Sequence, residues 1–68
     1  MKLWIEVIRK YPFEEYDFYP RRWYVAIKSI NGRIMMLSKG QSQRRHSVVL
    51  AKKIAEYLKL EYRGRKGD

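Results

Sequence analysis

Aliphatic side chains occupy every second position near the start of the chain: Leu3, Ile5 and Val7. A period of two is that of a β-strand, in which successive side chains point to opposite faces. The pattern therefore predicts a first strand near residues 2–9.

Two further apolar runs flank the dipeptide Asn31-Gly32. Both residues tolerate the positive φ that a two-residue type I′ turn requires, so the dipeptide is a strong hairpin signal. Such a turn would place Ile30 opposite Arg33 and would fix the register of the hairpin. We therefore predict antiparallel strands near residues 23–30 and 33–39.

This register sorts the side chains of the hairpin onto two faces. The first face is apolar and holds Trp23, Val25, Ile27, Ile34 and Met36. The second face mixes apolar and basic side chains and holds Tyr24, Ala26, Lys28, Ile30, Arg33, Met35, Leu37 and Lys39. Because the mixed face resembles neither a core nor a solvated surface, it is a candidate interface.

The hydrophobic period changes from two to about 3.6 after Gly40, which predicts a helix near residues 42–59 with Ser42 as its N-cap. Its apolar stripe consists of Ser47, Leu50, Ala51, Ile54, Tyr57 and Leu58. The opposite, polar side consists of Arg45, Lys52, Glu56 and Lys59. We expect the main core to contain Trp23, Val25, Ile27, Leu50, Ile54 and Leu58.

These elements predict an α+β fold, in which a three-stranded antiparallel sheet carries one C-terminal helix on one face (β-β-β-α). The segment 11–22 contains Pro12, Pro20 and several acidic residues, so we expect a long surface connection there. Residues 1–60 would form a single domain. Residues 61–68 are basic and glycine-bearing, and we expect them to form a disordered tail.

The size of the chain favours self-association. A domain of 68 residues has a small core, and this one has no cysteine for a disulfide and a single histidine, which excludes a usual zinc site. A homodimer is the remaining common source of extra burial, and we predict one. The candidate interface residues, on the mixed face or off the helical stripe, are Tyr24, Ala26, Met35, Leu37, Val48 and Val49.

The charge points to an anionic partner. Sixteen Lys and Arg against seven Asp and Glu give a net charge of +9, more than solubility requires in a small domain. We expect the protein to bind nucleic acid, either DNA or RNA, through the phosphates. A protein-interaction module or a small phage-type effector with a host-protein target is the alternative. The residues predicted to bind nucleic acid are Arg44, Arg45, Lys52, Lys28 and Arg33.

Signals for enzymatic chemistry are weak. The glycines follow no phosphate-cradling spacing, and His46 lies among basic residues without an acidic residue nearby to orient it. A solvated connection, or a segment that docks against the chain's own basic groups, explains Glu14, Glu15 and Asp17 better than a metal site does. We therefore expect that the protein is not an enzyme and that it binds no cofactor and no metal. The sequence has no stretch of about 18 apolar residues and no recognisable signal peptide. We therefore expect a cytoplasmic protein that does not enter a membrane.

The order of the elements and one spaced motif resemble the YegP-like domain family. The motif is N-G-x-I, then S-x-G, then a small polar residue that opens a helix, and it is matched by Asn31, Gly32, Ile34, Ser38, Gly40 and Ser42. The family has a β-β-β-α fold and no settled activity. Its bacterial members often contain two packed copies of the unit, so the resemblance implies that two of these chains pair.

A weaker resemblance is to the three-stranded DNA-binding domain of tyrosine recombinases and of AP2 factors. It rests on the W-x-V-x-I strand that begins at Trp23, the Gly32-Arg33 turn and the helix that contains Ala51. In those proteins the sheet enters the major groove of DNA. The resemblance implies that the sheet of this protein contacts nucleic acid.

Overall fold

A computed structural model describes residues 2–10 and 21–68 of the chain. These residues form β1 (Leu3–Lys10), β2 (Arg22–Ser29), β3 (Ile34–Leu37), α1 (Arg44–Leu58) and β4 (Glu61–Tyr62). The strands make one sheet in the order β3-β2-β1-β4. The predicted α+β class with one helix is confirmed. Most of the expected surface connection, residues 11–20, lies outside the described residues.

The three predicted strands pair antiparallel, as expected, but the sheet has a fourth strand that the prediction lacks. The additional strand, β4, pairs in parallel with β1 through Trp4 and Ile5. After α1, Lys59 adopts the left-handed conformation (φ 56°) and reverses the chain, which brings Leu60 and Tyr62 against the core. Tyr62 lies in the segment 61–68 that was expected to be a disordered tail, and its packing against the core gives that segment an apolar anchor.

The hairpin turn is one residue longer than predicted. The backbone N–H of Ser29 donates to the Arg33 carbonyl (3.0 Å), and that of Gly32 donates to the Ser29 carbonyl (2.8 Å). Of the three loop residues, only Gly32 has a positive φ (74°), whereas the predicted type I′ turn needs two such residues. Ile30 therefore does not face Arg33. The register of β2 and β3 also shifts between Ile27 and Lys28.

The helix is shorter than predicted. It begins at Arg44, and the N-cap is Gln43 and not the predicted Ser42. The Gln43 side chain makes no capping hydrogen bond. Lys59 ends it, with its backbone N–H directed at the carbonyls of Ala55 and Glu56. Among the described residues no helix combines the length and the apolar character that crossing a membrane requires.

The core lies between α1 and one face of the sheet. Its buried cluster consists of Ile5, Val25, Ala51 and Ala55, against which Val7, Ile27, Leu50, Ile54, Leu60 and Tyr62 pack. The expectation for Val25 is confirmed, whereas Trp23, Ile27, Leu50 and Ile54 are only partly buried. Leu58 is 46% exposed, so its assignment to the core is wrong. Small residues of α1 lie closest to the sheet, because a helix that packs tightly needs short side chains at the contact.

The opposite face of the sheet contains two charged contacts. Lys28 Nζ lies 2.7 Å from Glu6 Oε2 across β1 and β2. The Arg63 guanidinium stacks 4.1 Å from the centre of the Trp4 ring, and its Nε donates to Glu61. These contacts use charges of both signs, so this face is partly neutralised.

Candidate nucleic-acid interface

Three guanidinium groups surround one indole ring where α1 begins. The guanidinium carbons of Arg9, Arg44 and Arg65 lie 5.4, 5.9 and 5.8 Å from the centre of the Trp23 ring. Cations are attracted to the electron-rich face of an indole at such distances. We refer to these four residues as the arginine–tryptophan cluster.

Three elements and the segment after β4 assemble the arginine–tryptophan cluster. Arg9 and Trp23 are cross-strand partners in β1 and β2, Arg44 is the first residue of α1, and Arg65 follows β4. The Trp23 carbonyl accepts from the backbone N–H of Gln41 (2.8 Å) and from the buried Ser47 hydroxyl (3.0 Å). These bonds fix the start of α1 to the end of the sheet.

An acidic side chain is bound beside the cluster. Arg44 donates from Nη1 and Nη2 to the two carboxylate oxygens of Asp68, both at 2.8 Å. The Tyr62 hydroxyl and the backbone N–H of Arg65 donate to the same carboxylate, also at 2.8 Å. We call the donor groups of Arg44, Tyr62 and Arg65 the anion cradle.

The anion cradle changes the acidity of its members. The Arg44 guanidinium, and after it the Tyr62 hydroxyl, hold the pKa of Asp68 well below its usual range. The hydrogen bond to Asp68 raises the pKa of Arg44. Burial, and then the bond to Asp68, raise the pKa of Tyr62 to about 12. At neutral pH the cradle therefore holds an ionised carboxylate with a cationic arginine and a protonated tyrosine.

A polar cavity of about 270 Å³ adjoins the cradle. Basic side chains dominate its charged lining, since three arginines accompany one glutamate, and that glutamate is paired with Lys28. The lining residues are Glu6, Val7, Arg44, Tyr62, Arg63, Gly64 and Arg65. A cavity of this size and charge can admit a small anionic group.

The exposed side of α1 carries a basic stripe. Arg45 and Lys52 are seven residues apart, which places them on one side of the helix about 10 Å apart along its axis. Lys59, at the C-cap, continues the spacing. All three are exposed, and none has an ion-pair partner in the part of the chain that the structure describes. We call Arg45, Lys52 and Lys59 the helix stripe.

The five predicted nucleic-acid-binding residues are in different situations. Arg45 and Lys52 belong to the helix stripe, and Arg33 is exposed after the hairpin turn. Arg44 already binds Asp68. Lys28 is paired with Glu6 and, by hydrogen bonding, holds the pKa of that carboxyl below its usual value. The structure thus brings Arg45 and Lys52 together on one surface, whereas the charges of Arg44 and Lys28 are balanced by internal partners.

The residues predicted to form a dimer interface are also dispersed. Met35, Leu37 and Val49 are 48%, 40% and 53% exposed. Val48 is buried, and so is Ala26, the cross-strand partner of Leu37 in β2. Tyr24 is half-buried. Of the six predicted interface residues, Met35, Leu37 and Val49 are therefore the ones exposed to a partner.

An apolar groove of about 330 Å³ runs between β3 and the end of α1. It is lined by Val25, Ile27, Met36, Leu37, Ser38, Ile54 and Leu58. All four residues of β3 are apolar and exposed, and this strand forms an edge of the sheet. Edge strands usually carry charges or proline that prevent pairing with another chain, and β3 carries neither.

The remaining chemistry predictions add no second site. His46 is exposed on α1, and Glu14, Glu15 and Asp17 lie outside the described residues. Residues 2–10 and 21–68 contain no group of three acidic, histidine or cysteine side chains suited to a metal ion. The predictions of no enzyme and no cofactor stay predictions.

Sequence reasoning did not find the arginine–tryptophan cluster or the anion cradle. Arg9, Trp23 and Arg65 are far apart in sequence, and no local spacing connects them. The available signal was the alternation of Leu60 and Tyr62 after the helix, which predicts a short strand. That strand would have placed the following residues beside β1.

Comparison with known proteins does not assign this chain to a group. No family model, no curated protein and no solved structure matches it. The resemblance to YegP-like domains stays a prediction that rests on the residues of the motif.

Proposed function

We propose that this protein binds nucleic acid through phosphate contacts made by the helix stripe and the adjoining arginine–tryptophan cluster. The observation that carries the proposal is the excess of unbalanced positive charge on the described residues. All sixteen Lys and Arg lie in the described residues, which contain only four of the seven acidic residues, and Lys28, Arg44 and Arg63 are paired with three of those four. A surface of this kind attracts a polyanion over the range of a Debye length.

The distribution of the charges supports binding along a strand. Arg45 and Lys52 lie on one side of α1, and Lys59 follows them at the C-cap. The acidic Glu56 lies on the same side near the C-terminal end, and no acidic residue lies in the first turn of the helix. Backbone N–H groups at the start of a helix add partial positive charge at the end where Arg44 and Arg45 lie. Contacts of this type neutralise phosphates and carry no base information, so we expect little sequence preference.

The test compares two double variants with equal charge. Arg45→Ala/Lys52→Ala removes two charges from the helix stripe, whereas Lys2→Ala/Lys39→Ala removes two exposed charges from elsewhere. The stripe variant should bind every duplex more weakly and should flatten the salt dependence of the affinity by up to about two phosphate equivalents. The control variant should change the affinity and its salt dependence much less. Fluorescence anisotropy with labelled DNA and RNA over a salt series measures both.

Two results would count against the proposal. If both variants lose affinity equally, the net charge and not the helix stripe is responsible. If the wild-type protein binds neither DNA nor RNA at about 50 mM salt, where phosphate contacts are strong, the positive charge has another use.

A second candidate function, self-association as an interaction module, is favoured by one observation. The edge strand β3 is apolar and exposed along its whole length and borders the apolar groove. A second copy of the chain could add its own β3 in antiparallel orientation, because a two-fold axis brings the same patch of both chains together. We propose this edge as the dimer interface. The two candidates use different surfaces and are compatible.

A further inference from the structure

The anion cradle already shows what kind of group it binds. Four donors from three residues converge on one carboxylate, that of Asp68, each at 2.8 Å. Arg44 makes a two-pronged contact, a geometry that suits carboxylates and phosphates alike. We propose that the cradle is a binding site for a phosphate group and that Asp68 occupies it as a tethered competitor. The inference deepens the proposed function and rests on it for the source of the phosphate.

The charge around the cradle is not balanced by Asp68. The arginine–tryptophan cluster, which shares Arg44 and Arg65 with the cradle, brings three positive charges to the Trp23 ring, and the Asp68 side chain supplies one negative charge. The other acidic residue of the adjoining cavity, Glu6, is neutralised by Lys28. A phosphate dianion matches the remaining charge better than a carboxylate does.

The site also contains one more hydrogen-bond donor than those that donate to the Asp68 carboxylate. The Nε atom of Arg44 is buried and has no hydrogen-bond partner among the described residues. A buried donor without an acceptor is costly, and a group with more acceptor oxygens relieves that cost. A phosphate monoester has three terminal oxygens, one more than a carboxylate.

These charges select a terminal phosphate over the phosphodiesters of a nucleic-acid backbone. A phosphodiester carries one charge and two free oxygens, as Asp68 does, and it must compete with a carboxylate whose effective concentration is raised by its tether. A monoester carries a charge of about −1.5 to −2 near pH 7. We therefore infer that the cradle takes the terminal phosphate of a nucleic-acid strand.

Access to the cradle requires movement of the turn that carries Asp68. Asp68 is held by side-chain contacts and by a turn in which its backbone N–H donates to the Arg65 carbonyl. Gly67 in this turn has a φ of 95°, a conformation that glycine adopts and leaves readily. Release of Asp68 therefore leaves Arg44 and Tyr62 in place on α1 and β4.

The test uses Asp68→Asn, which removes the competing charge with little change in shape. Glu61→Gln is the matched control, because it removes one negative charge from the same segment without opening the cradle. The probes are one oligonucleotide with a 5′-phosphate, the same oligonucleotide with a 5′-hydroxyl, and inorganic phosphate alone. Asp68→Asn should strengthen binding of the 5′-phosphate form by at least about fivefold, the lower end of the usual coupling between two binding events. Binding of the hydroxyl form should change only as much as in Glu61→Gln.

A variant that closes the cradle gives an independent measurement. A Cβ atom at Gly64 would lie 2.5 Å from both the Tyr62 ring and the Asp68 carboxylate, so Gly64→Ala must displace them. Gly64→Ala should therefore lose the preference for a 5′-phosphate, also when combined with Asp68→Asn. Thermal unfolding curves establish that the compared variants are folded.

The outcomes separate this inference from the proposed function. Equal gains for both oligonucleotides, or an equal gain in Glu61→Gln, would overturn the inference and leave nucleic-acid binding intact. If no variant binds either oligonucleotide but Asp68→Asn binds inorganic phosphate, with changes in the NMR signals of Arg44 and Tyr62, the cradle is supported and the proposed function is wrong. If inorganic phosphate shifts no signal of the cradle in wild type or in Asp68→Asn, the inference is wrong.

Discussion

At the scale of single residues, the best-defined interaction is the hydrogen-bonded set of Arg44, Tyr62 and Asp68. Asp68 accepts from both other side chains, so the ionisation of any one of the three depends on the others. Each residue alone is unremarkable in the sequence. Their combination produces shifted pKa values, which often occur at functional sites.

Tyr62 provides a direct test of this set. Because its pKa is raised to about 12, the stabilisation that it contributes is present below the ordinary tyrosine value of 10 and is lost as the pH rises toward 12. We expect a tyrosine that ionises near pH 12 in an absorbance or ¹³C NMR titration, and Tyr62→Phe should remove it. Asp68→Asn should lower that pKa only in part, because burial is the larger cause. A Tyr62 that titrates near 10 would contradict the described contacts.

At the scale of elements, the helix and the sheet meet through small side chains. Ala51 and Ala55 of α1 pack on Ile5 and Val25, while the larger side chains of the helical stripe lie at the margin of the contact. Hydrophobic periodicity identifies the side of a helix that is buried, but it does not identify the residues at the centre of the contact. The element that contributes the fully buried Ile5 is β1, which the predicted core omitted.

This packing predicts different costs for three truncations. Ile5→Ala should destabilise the fold by about 2–5 kcal/mol, because it leaves a cavity at a fully buried position. Ile54→Ala, at a partly buried position beside the groove, should cost less, and Leu58→Ala least. Urea unfolding followed by circular dichroism measures all three. A larger loss for Ile54→Ala than for Ile5→Ala would show that the helix packs differently.

At the scale of the whole molecule, the positive charge favours nucleic-acid binding and opposes dimer formation. Two copies with a net charge of +9 repel each other, and salt screens that repulsion. Salt weakens phosphate binding, because counterions compete for the polyanion. The sign of the salt effect therefore tells the two processes apart.

The dimer proposal is tested by sedimentation at several salt concentrations. Met36→Lys places a charge on β3, and Val49→Lys places the same charge at a comparably exposed position of α1. Wild-type self-association should increase with salt, Met36→Lys should be monomeric, and Val49→Lys should resemble the wild type. Neither variant should change stability by more than about 0.5 kcal/mol, because both positions are exposed. If Val49→Lys alone abolished the dimer, the interface would lie on α1 and not on β3. A wild-type protein that stays monomeric at high micromolar concentration would exclude the dimer.

The sequence by itself determined the features that depend on neighbouring residues. Alternation predicted β1 and β2, Asn31-Gly32 predicted a hairpin, and the 3.6-residue period predicted α1. These signals are local, because strands, turns and helices are governed by residues a few positions apart. The length of the turn was not determined, since Asn-Gly suits a loop of two or three residues.

Tertiary structure alone decided how distant segments meet. β4 is two residues long, and only its pairing with β1 and the packing of Tyr62 make it a strand. That pairing brings Arg65 and Asp68 to Trp23 and Arg44, more than twenty positions away in the chain. A site assembled from separate segments leaves no local period in the sequence, because its members are selected by their positions in space. The basic composition of the chain was therefore evident from the sequence, whereas the division into paired and unpaired cations required the fold.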